Sequence, residues 1–419
     1  LHLIHRKTCR VCGSSALTSV IDLGEQHLQG SFVKPGKEMP PMRKVPLRVT
    51  RCDPTRDEKA CGLLQMEHST PGDILYAAYW YRSGTNRTMR DHLTGIAREG
   101  AELAGRSGAR VLDIGCNDGT LLAAYPADYA KFGVDPSDVA QTVTGATVVQ
   151  DIFPSAKLAA AAGPERFDVI TSIAMFYDLE QPVAFARSVG ELLAKDGLWM
   201  FEMSYMPTML AKDSYDTICH EHLEYYSLAV LERIAKDAGL RVFRIAFNDI
   251  NGGSIRCYTT HANSTKHGTA DDARLLSATR QAEFELALDT DAPYRAFQQR
   301  VDKQRDELTA LVRKLVSEGK RIHLYGASTK GNTILQFCGI DHTLIECAAD
   351  RNPDKDGART LGTDIPIVSE EKSRALKPDY YLVLPWHFRD EFVEREKAML
   401  AGGCAMIFPL PKVEIVRGA

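Results

Sequence analysis

The run at residues 110–122 constrains the fold most. Arg110-Val111-Leu112-Asp113-Ile114 is a short apolar strand, Gly115-Cys116-Asn117-Asp118-Gly119 is a glycine turn, and Thr120-Leu121-Leu122 opens a helix. Glycine lets the main chain approach a ligand closely at the carboxyl end of a strand, where open α/β sheets bind ligands. The glycines are spaced Gly115-x3-Gly119, so the dinucleotide fingerprint G-x-G-x-x-G is absent. Asp113 precedes the turn, and a second strand, Lys131-Phe132-Gly133-Val134-Asp135, ends in an acid 22 residues after it. A carboxylate at Asp135 is placed to accept both hydroxyls of a ribose.

The downstream pattern continues an α/β alternation. Residues 148–153 read as a third strand with Asp151 beside an adenine site, and residues 167–172 as a fourth, with Met175-Phe176-Tyr177 in the loop beyond. A helix over 183–193 and a turn at Lys195-Asp196-Gly197 lead to a fifth strand at 198–203. The arrangement resembles the class I S-adenosylmethionine-dependent methyltransferases. That resemblance implies a cofactor held by Asp113, Gly115, Asn117, Asp118, Gly119, Asp135, Asp151 and Ile152. The alternative is a doubly wound fold with no such cofactor, or one holding another nucleotide.

Beyond the fifth strand lies Tyr215-Asp216-Thr217-Ile218-Cys219-His220-Glu221-His222-Leu223-Glu224-Tyr225-Tyr226. His, Glu and Tyr move protons near neutral pH, and packing them closely is costly unless they are satisfied or form a site. The bland alternative is a polar loop with surface histidines. The position after the strand's carboxyl end delivers the cluster to the ligand face. An H-x-H step lacks the H-E-x-x-H spacing of a catalytic metal pair.

At 419 residues, two or three domains are expected. Of the ten cysteines, four fall in the first 61 residues. Cys9-x2-Cys12-Gly13 and the looser pair Cys52 and Cys61-Gly62 predict a closed four-thiolate structural zinc site in a loop-rich module with turns at Gly30, Pro35, Gly36, Pro40 and Pro41. Four thiolates leave no open position for catalysis. The net charge of −4 provides no basic field for nucleic acid. No apolar run approaches about 20 residues, so no membrane span is expected, and a cytoplasmic protein is. Residues 1–7 lack a signal core and an initiator Met and read as a trimmed start. Residues 71–105 read as helical: an aromatic-rich first part (Tyr76, Tyr79, Trp80, Tyr81), a break at 82–85, then an amphipathic helix at 89–103.

Asn251-Gly252-Gly253 is a turn before an alternating strand, either bordering an acceptor pocket or closing a plain hairpin. Residues 294–318 form a long charged helix, read as a linker or a domain-spanning helix. Arg321-Ile322-His323-Leu324-Tyr325-Gly326-Ala327-Ser328-Thr329-Lys330-Gly331-Asn332 repeats the strand–turn–helix plan without G-x-G-x-x-G, which counts against an NAD enzyme. Amides, Ser328, Thr329 and Lys330 at a helix N-terminus suit an anion, with a diphosphate the natural guess. Strands at 346–353 (ending in polar residues), 380–388 and 404–409 complete a small Rossmann-like domain.

Together these motifs resemble the nucleotide-sugar C-methyltransferases of antibiotic deoxysugar pathways, notably C3-methyltransferases acting on TDP-4-keto-deoxysugars. The resemblance spans nearly the whole chain. It implies a zinc-binding module (1–70), a class I methyltransferase domain (71–260) and a C-terminal Rossmann-like domain with its long helix (261–419). It also implies S-adenosylmethionine, structural zinc and a nucleotide-sugar partner, TDP-linked in preference to GDP-linked. Tyr325, Ser328, Thr329, Lys330, Asn332 and Trp386 become candidate substrate residues.

In that family a tyrosine commonly precedes Glu and the second His as catalytic groups. Glu221 and His222 carry over, whereas Cys219 occupies the tyrosine position, and Tyr215, Tyr225 or Tyr226 are the candidate substitutes. An α-proton base and an enolate-oxygen donor are then required. His222 is assigned as base, Glu221 as its orienting or charge-tuning partner, and His220 or a tyrosine as donor. The rivals are O- or N-methylation, which needs no carbon base, and a zinc-containing nucleotide-binding protein without turnover.

Overall fold

Apolar runs without polar alternation belong to strands buried on both faces. Arg110–Ile114 is such a strand, and it sits near the middle of a seven-stranded sheet. The computed structural model describes residues 3–28, 32–37, 44–70 and 82–418. The predicted aromatic-rich segment through Tyr81, and Gly30, Pro40 and Pro41, lie outside the described residues.

The sheet runs Leu240–Asn248, Ser254–His261, Leu193–Ser204, Phe167–Ile173, Arg110–Ile114, Ala130–Asp135, Thr147–Gln150. The first two strands are antiparallel to their neighbours and the other five run parallel. The turn expected at Lys195-Asp196-Gly197 is instead absorbed into the strand Leu193–Ser204, with a register shift between Phe167 and Val169. Asn86 caps the helix Arg87–Ala104 by accepting from the Thr88 amide, so this helix starts two residues earlier than its apolar spacing suggests. Its Met89, Leu93, Ile96 and Ala97 pack against the sheet.

The C-terminal sheet orders Ile367–Ser369, Ala348–Asp350, Ile322–Tyr325, Tyr380–Val383, Ala405–Phe408, Glu414–Val416; its first five strands are parallel. The strand expected over 380–388 stops at Val383, before Pro385. The α/β Rossmann-like class is therefore present twice.

The N-terminal module is more than a loop-rich knot. Leu17–Gln26, Val45–Cys52 and Leu64–Met66 form antiparallel strands, and Glu224–Tyr225, just after the His/Glu cluster, adds a fourth by pairing with Gln65 and Leu64. The long helix Ala292–Ser317 takes the domain-spanning one of its two expected roles. Its Phe297, Val301, Leu308 and Val312 share one core with Ile21, Leu47 and Val49 of the module and Ile334 and Leu335 of the C-terminal domain.

Candidate active site and zinc centre

The thiols of Cys9, Cys12, Cys52 and Cys61 converge, with every Sγ within 4.8 Å of the others. Cys12 and Cys52 approach to 3.5 Å, as do Cys9 and Cys61. A zinc–sulfur bond of about 2.3 Å places tetrahedral ligands roughly 3.8 Å apart, so this cluster fits the ion. The eight-residue spacing between Cys52 and Cys61 is accommodated because the intervening loop is tied back. Asp53 accepts from Thr18 and Thr55, and Asp57 accepts from Ser14 at 2.5 Å.

The ligand face of the seven-stranded sheet opens into a cavity of about 930 Å³ between the two Rossmann-like units. Gly115 forms the turn at φ +78, where a Cβ would come 3.1 Å from Met175, so the main chain lies against the cavity wall as a bound cofactor requires. Asp135 ends its strand facing the cavity; it accepts from the amides of Asn117 (2.9 Å) and Ser137 (2.8 Å). Asp113 accepts from the Thr171 hydroxyl at 2.6 Å, and burial raises its carboxyl to about 7. Asn117, Asp151 and Ile152 also line the cavity. Asp118 and Gly119 do not: Asp118 accepts from the Gly84 amide and the Thr120 hydroxyl, and Gly119 abuts Val143. They brace the turn.

Glu202 was not singled out from the sequence, although an acid at the end of an apolar strand on the ligand face was a usable signal. Its carboxylate lines the cavity and is held by His92, Asn248 and Arg256. Burial pushes its pKa up, but His92 and Arg256 outweigh that and the net shift is downward. The result is a fixed anion in the cavity wall. The Ser204 hydroxyl, also on the cavity wall, is buried with no hydrogen-bond partner among the described residues.

Of the His/Glu/Tyr stretch, Asp216, Glu221 and His222 reach the cavity. Nδ1 of His222 donates to the Thr217 carbonyl at 2.7 Å, so Nε2 carries the lone pair. Burial, then the nearby Lys330 charge, lower its pKa to about 3. Glu221 makes no hydrogen bond among the described residues, and burial lifts its carboxyl to about 7. The orienting partner of His222 is thus the Thr217 carbonyl, not Glu221.

The expected donors are turned away. Nε2 of His220 donates to the Val45 carbonyl, the Tyr215 hydroxyl contacts Cys338 Sγ at 3.6 Å, and Tyr225 donates to the His222 carbonyl. Tyr226 lies in the core with its hydroxyl 3.5 Å from the Phe176 carbonyl. None of the four lines the cavity. Tyr177 does, with its ring 4.1 Å from that of His222.

From the C-terminal unit, Tyr325, Ser328, Thr329 and Lys330 line the cavity, while Asn332 donates inward to the Leu361 carbonyl. Trp386 is not in the wall either; its indole donates to Asp216 at 2.9 Å. The glycine turn before Ser254–His261 both closes a hairpin and borders the cavity through Asn251. A Cβ on Gly252 would come 3.2 Å from the Trp386 ring, so glycine lets the two units meet.

Family models match the chain in three consecutive pieces: zinc binding domain at residues 9–76, methyltransferase domain at 84–245, and C-methyltransferase C-terminal domain at 249–411. The C-methyltransferase NovU of Streptomyces niveus is 29% identical over 416 residues, covering 97% of this chain and 96% of that protein. The ubiquinone biosynthesis O-methyltransferase of Nitrosospira multiformis is 28% identical over 160 residues, covering 34% of this chain and 65% of that protein. Among solved structures, the O-methyltransferase NcsB1 from neocarzinostatin biosynthesis, with S-adenosylmethionine bound, aligns over 42% of this chain and 55% of its own at 24% identity and a TM-score of 0.32. With its thiol cluster, its glycine-turn cavity and the matched domains, the chain is an S-adenosylmethionine-dependent C-methyltransferase, similar along its length to NovU and built of a zinc-binding domain, a methyltransferase domain and a C-methyltransferase C-terminal domain in that order.

Proposed function

We propose that the acceptor is a nucleotide-linked 4-keto-deoxysugar, TDP-linked in preference to GDP-linked, methylated at C3, the carbon beside the ketone. The observation that carries the reading is His222: a buried imidazole with Nδ1 tied to a main-chain carbonyl and a free lone pair on Nε2, in the wall of the shared cavity. Carbon is a poor nucleophile, and a base is needed to make it an enolate. Methylation of oxygen or nitrogen would not require removal of a carbon-bound proton, so α-proton exchange separates the two. When bound, S-adenosylmethionine supplies the electrophilic methyl group; Asp135 holds its ribose, Asp113, Gly115 and Asn117 its amino-acid end, and Asp151 and Ile152 its adenine.

The working division is a zinc module over 1–70, a methyltransferase domain over 71–260 and a nucleotide-sugar domain over 261–419; the matched ranges follow the same order, with the C-terminal match starting at 249. Among the described residues no helix is long and apolar enough to cross a membrane. Reduced thiols at the zinc site suit the cytoplasm. The net charge of −4 offers nothing to nucleic acid.

The test is incubation with S-adenosylmethionine and a panel of TDP- and GDP-4-keto-6-deoxysugars in deuterated water, read by product mass. Methyl gain on a sugar carbon with deuterium exchange at the same carbon supports the reading; methyl gain on oxygen overturns it. Asp135→Ala is expected to weaken S-adenosylhomocysteine binding by about 10²-fold in calorimetry, through two lost charge-assisted hydrogen bonds.

Glu221 provides a pH signature. An isolated carboxyl titrates near 4.5, and in the fold it titrates at about 7. Below 4.5 both states hold the proton and stability is unaffected. Between these values only the unfolded chain releases it, so wild-type stability falls as pH rises and levels off above 7. At 1.36 kcal/mol per unit the fall is about 3 kcal/mol. Glu221→Gln is expected to remove that slope in denaturant titrations at pH 5 and pH 8.

A further inference from the structure

Deprotonation by His222 requires a donor for the enolate oxygen, and His220, Tyr215, Tyr225 and Tyr226 all face elsewhere. We propose that Lys330 is this catalytic residue: its ammonium, carried into the methyltransferase cavity by the C-terminal domain, binds the acceptor's carbonyl oxygen and stabilises the enolate. The inference rests on the C-methylation of a keto sugar proposed above.

The geometry separates Lys330 from a simple diphosphate grip. Its Nζ donates to the main-chain carbonyl of Asn251, 2.8 Å away, on the methyltransferase side of the cavity. That tether holds the cation across the boundary between units and leaves two of its three donors for a ligand. The helix-capping task at this N-terminus falls to Ser328, which accepts from the Gly331 amide. Three buried groups facing the cavity register the Lys330 charge. After burial it is the next influence on His222, on His387 and on Asp216. The ammonium therefore sits among the base and the groups around it.

Asp216 is an independent sign that a polar ligand belongs here. It is 1% exposed, its Oδ2 accepts from the Trp386 indole, and its Oδ1, in the same cavity wall, is buried with no hydrogen-bond partner among the described residues. A buried carboxylate oxygen left unpaired is costly until a donor reaches it, and a sugar hydroxyl beside the ketone is such a donor.

The step balances. The α C–H bond breaks, its proton passes to Nε2 of His222, and its electron pair moves into the carbonyl, leaving negative charge on the oxygen that Lys330 holds. The carbonyl then re-forms as the same pair closes the new carbon–carbon bond to the methyl group; the methyl–sulfur bond of S-adenosylmethionine would break with its pair left on sulfur, S-adenosylhomocysteine being the leaving group, and His222 returns its proton to water.

The experiment compares wild type, Lys330→Met, Lys330→Arg and Tyr177→Phe in deuterated water. α-Proton exchange is followed with S-adenosylhomocysteine bound, and methyl transfer with S-adenosylmethionine. Lys330→Met is expected to lower both the exchange rate and kcat by about 10²- to 10³-fold, as loss of an oxyanion donor does, with KM little changed. Lys330→Arg, which keeps the charge, is expected to recover part of the exchange, and S-adenosylhomocysteine affinity in both variants is expected to match wild type, which also checks folding. A raised KM at unchanged kcat would overturn the proposal in favour of a diphosphate anchor. Exchange lost in Tyr177→Phe but retained in Lys330→Met would give the role to the tyrosine. If wild type neither exchanges nor methylates any keto sugar, the sugar reading itself fails and takes this inference with it.

Discussion

His222→Asn is expected to depress methyl transfer and α-proton exchange together, by about 10²- to 10⁴-fold, the usual contribution of a positioned general base. Asparagine is the informative replacement. Its amide can still donate to the Thr217 carbonyl where Nδ1 does now, at 2.7 Å, so the loop keeps its anchor while the Nε2 lone pair is lost. Cofactor affinity is expected to stay at the wild-type value, because the cofactor turn around Gly115 belongs to a different strand end. Exchange at the wild-type rate in this variant would remove His222 as the base. Its low pKa, about 3, keeps it unprotonated across the working range, so activity is not expected to fall through titration of this imidazole between pH 5 and pH 8. The enolate's negative charge, forming beside it, offsets the Lys330 field and raises its proton affinity at the moment of transfer.

Removing zinc is expected to abolish activity by loosening the catalytic segment as well as the N-terminal module. A structural zinc site contributes about 10–16 kcal/mol of apparent binding energy in small zinc-finger peptides, much more than the margin by which a domain is stable. Arg10, directly after Cys9, carries the effect inward. It is buried, donates to the Met66 carbonyl and the Ser69 hydroxyl, and lies 3.6 Å from Glu224, whose side chain is fully buried. Glu224 stands two residues after His222 and pairs with Gln65 of the module's sheet. Chelation, or Cys52→Ser, therefore displaces Arg10, the cation that opposes the upward shift that burial imposes on the Glu224 carboxyl, and loosens the strand that carries it. Hydrogen exchange after chelation is expected to show lost protection over 17–26 and 45–66 and also over 215–226. Protection lost in the module alone would show that the two are not coupled.

The cofactor half of the site was legible because its chemistry is local. A strand, a glycine turn and an acid at the next strand's end lie within a few dozen residues, and backbone geometry alone brings Asp113, Gly115 and Asp135 to one edge. The four cysteines were legible for a similar reason, since thiolates in that number have few other uses. The acceptor half was read less well. Residue type marked Tyr215, His220 and Tyr225 as proton-transfer groups, yet type says nothing of direction. Each found a partner in the core: a thiol from the C-terminal domain, a carbonyl from the zinc module's strand, a carbonyl within its own turn. Asn332 and Trp386 went the same way, spent on packing the units together.

The sequence by itself thus determined two Rossmann-like units, a thiolate centre and the carboxylates at the strand ends, because periodicity, turns and ligand chemistry act over short stretches. The tertiary structure alone decided which of several histidines, tyrosines and lysines face the cavity. That choice depends on three units sharing a core and a four-stranded sheet, where Glu224–Tyr225 joins the zinc module and Lys330 crosses to Asn251. Contacts between residues tens to hundreds of positions apart are set by packing and hydrogen-bond satisfaction over the whole molecule, and no local pattern encodes them.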